Sequence, residues 1–185
     1  MRLLLRPSVA GLAPFGALLL VVVGGAALGG GSERIVPWLI GAAAGLIAIC
    51  CLGIVAAHEP PPPRVALGGW ASAFGFGALA LAQVLLGMDE PEDLADAGGP
   101  FSELPVLLLG TAIVTVPIAN ALLALGARRS GRLPMWGVGA LWLVTPLLPL
   151  VLLGGTSLGG YLPVALGTLA LGWVAVGLAL RTVGQ

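Results

Sequence analysis

Six apolar stretches run through this chain of 185 residues, and none of them contains a charged side chain. They span approximately residues 8–29, 35–57, 65–87, 105–127, 134–154 and 161–180. A helix needs about 20 apolar residues to cross a hydrocarbon core of roughly 30 Å, so each stretch is long enough. In lipid an unpaired backbone N–H or C=O costs several kcal/mol, and a helix satisfies those groups within itself. A membrane β-barrel would show short segments of alternating polarity, whereas these runs are apolar on every side. The expected fold is all-α: a polytopic membrane protein whose residues 1–185 form a single domain of six transmembrane helices.

Composition points the same way. Only 9% of the residues are charged and 58% are hydrophobic, whereas a soluble domain carries about 25% charged residues. So few charges cannot cover a water-soluble surface. Lysine is absent, so all eight basic residues are arginine. With the heavy use of Ala, Gly, Leu and Pro, this suggests a GC-rich bacterial genome. The expected location is the cytoplasmic (inner) membrane, with several passes. The formal net charge is zero, which implies no nucleic-acid partner. The partners expected are the lipid bilayer and another membrane protein; the sequence sets no oligomeric state.

Arginine placement gives the orientation, because positive residues stay on the cytoplasmic side. With the N-terminus in the cytoplasm, Arg2, Arg6, Arg64, Arg128, Arg129, Arg132 and Arg181 are inside, and only Arg34 is outside. Arg128, Arg129 and Arg132 form the cluster that sets topology. An even number of spans then leaves both termini cytoplasmic. The acidic loop with Asp89, Glu90, Glu92, Asp93, Asp96 and Glu103 faces out. A cleaved signal peptide is the competing reading of the first stretch. Its apolar run of about 22 residues is longer than the 7–15 of a signal core.

Several spans begin with proline in the first turn, where a missing N–H costs nothing. Pro37, Pro105, Pro134 and Pro163 are placed this way. Pro117 falls mid-span, and Pro146 and Pro149 lie within the fifth stretch; each removes a helix hydrogen bond and favours a kink. The proline-rich segment from His58 to Arg64 is expected to be a stiff extended connection. Small residues four apart share a helix face and let two backbones approach. Gly41 and Gly45, with Gly69, Ala73 and Gly77, make such a seam. The third stretch, densest in small residues, is expected near the bundle centre, and the leucine-rich fifth nearer its edge.

Polar side chains at depth are scarce: Ser72, Gln83, Thr111, Thr115, Asn120, Thr145 and Thr168. Thr115, Pro117, Asn120 and Thr145 are the candidate lining of a small polar cavity. A ligand there would be neutral, because no counter-charge is at hand. The blander expectation is that Asn120 satisfies a carbonyl freed by Pro117. His58 is the single histidine and is expected to pair with Glu59 at the interface. The adjacent Cys50 and Cys51 point in different directions on a helix and read as small apolar residues. No spacing matches a zinc site, a calcium loop or a phosphate-binding glycine loop, so no cofactor, metal or catalytic residue is expected.

The sequence therefore favours a non-enzymatic accessory, scaffold or regulatory subunit acting through helix contacts. A small transporter or channel for a neutral or lipophilic solute is the alternative. An interfacial lipid-modifying enzyme ranks below both.

Overall fold

The computed structural model describes residues 35–58, 60–88, 103–131, 133–154 and 162–183, with side chains at all of these except 57, 147–154, 162–167 and 180–183. The expected first span, the acids from Asp89 to Asp96, Glu59, Arg132 and both chain ends lie outside the described residues. Within them the protein is all helical. The helices are α1 (Ile35–Ala57), α2 (Pro63–Met88), α3 (Leu104–Ser130), α4 (Met135–Gly154) and α5 (Leu162–Val183). The first three are long and apolar enough to cross a membrane. This is a membrane protein built from helices.

Local chemistry sets several helix ends. Proline opens α2 at Pro63 and occupies the first turn of α3 at Pro105; there its missing N–H breaks no helix bond and its fixed φ suits the helix. The expected extended run from His58 to Arg64 is therefore shorter than the prolines suggested, since Pro63 and Arg64 already belong to α2. At its other end α3 stops on Gly131, whose φ of 66° is left-handed. A residue with a Cβ resists that conformation, and glycine does not. Arg128 and Arg129 stand in the last turn of α3, where positive charge complements the partial negative charge of the exposed carbonyls. Both α3 and α4 stay helical through their internal prolines, Pro117 and Pro146.

Each helix packs against the next in chain order, and α5 returns to touch α1. The α2–α3 contact is the tightest in register. Val65 lies by Gly126, Gly68 by Ala119 and Leu123, and Gly75 by Val116. Position numbers rise along α2 as they fall along α3, so the pair is antiparallel. A Cβ at Gly68 would stand 2.5 Å from the Leu123 amide nitrogen and 2.9 Å from the Ala119 carbonyl oxygen. Only a glycine permits that backbone-to-backbone approach. On another face of α2, Gly69 meets Cys51 and Val55 of α1. Gly41 of α1 meets Ala80, Gln83 and Val84 near the opposite end. The α4–α5 pair is likewise antiparallel, joined by Gly137 to Ala179 and Gly172 to Val144.

The buried core runs through all five helices. It includes Ile47, Ile54, Phe76, Leu79, Val116, Leu123, Leu141, Leu169 and Trp173. Phe76 of α2 meets Trp173 of α5 edge to face, with ring centroids 5.5 Å apart and planes at 82°. That geometry places the positive edge of one ring against the negative face of the other. It also ties the α4–α5 pair to the three-helix unit α1–α2–α3.

Candidate functional site

Two clusters hold polar side chains buried among the helices. The first lies between the helices, where α2 meets α3. Ser72 Oγ–H donates to Asn120 Oδ1 at 2.8 Å, and both residues are buried. Ser72 and Asn120 thus form a buried polar link between α2 and α3, and Cys51 of α1 is buried nearby with its backbone carbonyl against Gly69. The glycines make this possible. Gly68, Ser72 and Gly75 share the α2 face turned to α3, and the close approach at the glycines brings a side chain as short as serine within reach.

The four residues expected around a polar cavity are engaged separately. Asn120 is bonded through its carbonyl oxygen to Ser72 on the neighbouring helix. Thr145 Oγ–H donates to Leu141 O in its own helix at 2.8 Å. Thr115 is half-buried beside Gly75, and Pro117 is half-buried on α3. Thr111, near the other end of α3, bonds back to Leu107 O at 2.8 Å. Hydroxyl back-bonding of this kind satisfies a polar group locally inside a helix.

The seam residues divide among faces. Gly41 and Gly69 lie in the α1–α2 contact, and Ala73 packs against the core. Gly45 and Gly77 have open space where a Cβ would stand. Gly77 is on the outer face of α2, in line with Trp70, Phe74 and Leu81. Arg128 and Arg129 are exposed, whereas Arg132 lies outside the described residues.

The second cluster gathers where α1 and α3 end. His58 is 0% exposed. Its Nδ1 lies 2.8 Å from Ile54 O, one turn back on α1. Its Nε2 lies 2.8 Å from Ser130 Oγ at the end of α3. Ser130 Oγ in turn lies 2.8 Å from Ala127 O. His58 and Ser130 thereby satisfy carbonyls that the last turns of both helices leave free. His58 is buried against α3; Glu59, its expected partner, lies outside the described residues. The signal for this was available: a histidine just past a helix end can fold back on the carbonyl four residues earlier, and Ser130–Gly131 is a helix-stopping pair.

One buried polar atom stands apart. Trp173 is fully buried, and its Nε1–H has no hydrogen-bond partner among the described residues. Among the described residues, no group of three or more His, Cys, Asp or Glu side chains is placed to hold a metal ion. No protein-family model, curated protein or solved structure matches this chain.

Proposed function

We propose that this protein is a six-span component of the inner membrane of a GC-rich bacterium, with both termini in the cytoplasm. It serves as a non-enzymatic accessory, scaffold or regulatory subunit through helix–helix contacts. The observation that carries this reading is the buried hydrogen bond between Ser72 and Asn120. The two side chains turn toward one another and join α2 to α3, so this bond serves packing.

The outer faces support the same reading. On α2, Leu67, Trp70, Phe74, Leu81 and Met88 are exposed, and on α3 so are Val106, Leu107, Val114 and Ile118. Gly77 and Gly110 interrupt these faces with open space beside them. Small positions on an apolar helix face are where a second helix backbone can come close.

The test is affinity purification from the native membrane in mild detergent, read by native mass spectrometry. A membrane protein that co-purifies reproducibly, and is lost on Gly77→Ile, is the expected result. A lone chain in every preparation would overturn the proposal. A lone chain carrying one defined neutral solute would move the assignment to transport.

A further inference from the structure

The α2–α3 packing brings two arginines together from distant parts of the chain. The backbone of Arg64, at the start of α2, lies against Gly126 of α3, where a Cβ on the glycine would stand 3.2 Å from the Arg64 carbonyl carbon. Arg129 follows Gly126 by three residues, and residues three apart are neighbours on a helix surface. Both arginine side chains are exposed. Like charges on neighbouring positions repel, and an anion between them relieves the repulsion. Among the described residues the single acid, Glu103, lies at the opposite end of α3. The two connections at the arginine end, 58–64 and 128–134, carry four arginines and one glutamate. Glu59 and Arg132 lie outside the described residues. Their opposite charges cancel in the count, which leaves the excess of Arg64, Arg128 and Arg129.

From these arginines an apolar surface runs along the outer side of the α2–α3 pair. Leu67 and Phe74 stand within about a quarter turn of Arg64 around α2, and they are 62% and 65% exposed. Ile118 stands about three full turns from Arg129, on the same stripe of α3, and is also exposed. Along their helices, Phe74 is about 15 Å from Arg64 and Ile118 about 16 Å from Arg129. Both helices are long and apolar enough to cross a membrane. Positive charge at the helix ends, with apolar surface leading away from it, complements a molecule with an anionic head and a hydrocarbon tail.

We propose that Arg64 and Arg129 form a binding site for an anionic phospholipid. The phosphate sits between the two guanidinium groups, and an acyl chain lies along Leu67, Phe74 and Ile118. A guanidinium presents paired N–H donors in a fork that fits phosphate oxygens. The site belongs to whichever leaflet the arginine end faces, so it does not depend on the orientation of the chain. Arg128 is about 100° from Arg129 around α3 and lies outside the site.

The test is native mass spectrometry of the full chain in dodecyl maltoside. Phosphatidylglycerol or phosphatidylcholine with the same acyl chains is titrated into the micelles. The parent protein should retain phosphatidylglycerol at a lower lipid fraction than phosphatidylcholine. Arg64→Gln and Arg129→Gln should each weaken phosphatidylglycerol retention about fivefold, and the double variant about thirtyfold, from about 1 kcal/mol per basic residue. Phosphatidylcholine retention should stay unchanged. Arg128→Gln combined with Arg181→Gln removes the same charge elsewhere and should weaken retention less than Arg64→Gln alone. Equal retention of the two lipids by the parent, or equal losses in the two double variants, would overturn the proposal. Glycerol 3-phosphate, a headgroup without chains, should not displace the lipid; displacement at matched concentration would assign the arginines to a soluble phosphate and overturn the lipid site. The exposed position of both side chains predicts unchanged helical circular dichroism in every variant.

Discussion

Asn120 shows how a single polar residue behaves when lipid surrounds the helix that carries it. Its carbonyl oxygen takes the Ser72 hydrogen at 2.8 Å, inside the protein. Hydrogen bonds between membrane helices average about 0.6 kcal/mol and reach about 1.7, because partners are also found in the unfolded state within the membrane. Removing one partner leaves the other buried and unpaired, at about 1–3 kcal/mol. Asn120→Leu and Ser72→Ala should therefore each destabilise the protein by about 1–2 kcal/mol. The double variant should cost less than their sum, in a denaturation cycle in mixed micelles. Strict additivity would mean that the two side chains do not interact. Trp173 presents the opposite case, a donor with no partner among the described residues at 0% exposure. Trp173→Phe removes that donor and keeps an aromatic ring for Phe76. It should leave stability unchanged or raise it by about 1 kcal/mol, whereas Trp173→Ala should cost about 3–5 kcal/mol. A Phe variant as unstable as the Ala variant would show that Nε1–H is satisfied after all.

At the scale of helices, length and polarity were legible and facing was not. The apolar run 35–57 is α1, and the run 105–127 lies inside α3, which ends three residues later at Ser130. An apolar segment in lipid has one way to satisfy its backbone, so existence and type follow directly from the residues. Facing is a different problem. In a soluble helix the polar stripe marks the outside; here lipid and interior are equally apolar, and that contrast is missing. The α2 sequence carries small residues at 68, 69, 72, 73, 75 and 77, which cover more than half of the circumference. A spacing of four selects Gly69, Ala73 and Gly77, yet Gly68, Ser72 and Gly75 are the residues set against α3. The Ser72–Asn120 pairing was hidden for the same reason, since it depends on which stripe faces which helix. The contrast between these stripes is measurable. Gly68→Ala forces a methyl into the α3 backbone and should cost about 1–3 kcal/mol. Gly77→Ala adds one to open space and should stay within about 0.5 kcal/mol of the parent. Equal losses at the two sites, measured by unfolding in the same micelles, would contradict the helix register.

Across the whole molecule, the arrangement of helix ends bears on how the chain sits in its membrane. The antiparallel packing brings the end of α1, the start of α2 and the end of α3 together, with Arg64 backbone against Gly126. Arg64, Arg128 and Arg129 therefore share one end of the bundle, and Met88 and Glu103 lie at the other. The sequence assigned the same arginines to the cytoplasm from charge alone. Their grouping at one end in three dimensions is what that assignment requires. Reporter fusions give the check. A cytoplasm-active reporter placed after Ser130 and after Gln185 should be active, and one placed at Gly99, within the acidic segment, should be silent; an exported reporter should give the inverse pattern. Replacing Arg128, Arg129 and Arg132 together with Gln removes three of the seven arginines expected inside, and should yield a mixed pattern at the 131 junction, because the charge bias fixes orientation. A uniform, unchanged pattern in that triple variant would assign orientation to the other arginines expected inside, Arg2, Arg6, Arg64 and Arg181. Activity of the cytoplasmic reporter at Gly99 and silence at Ser130 would reverse the whole molecule.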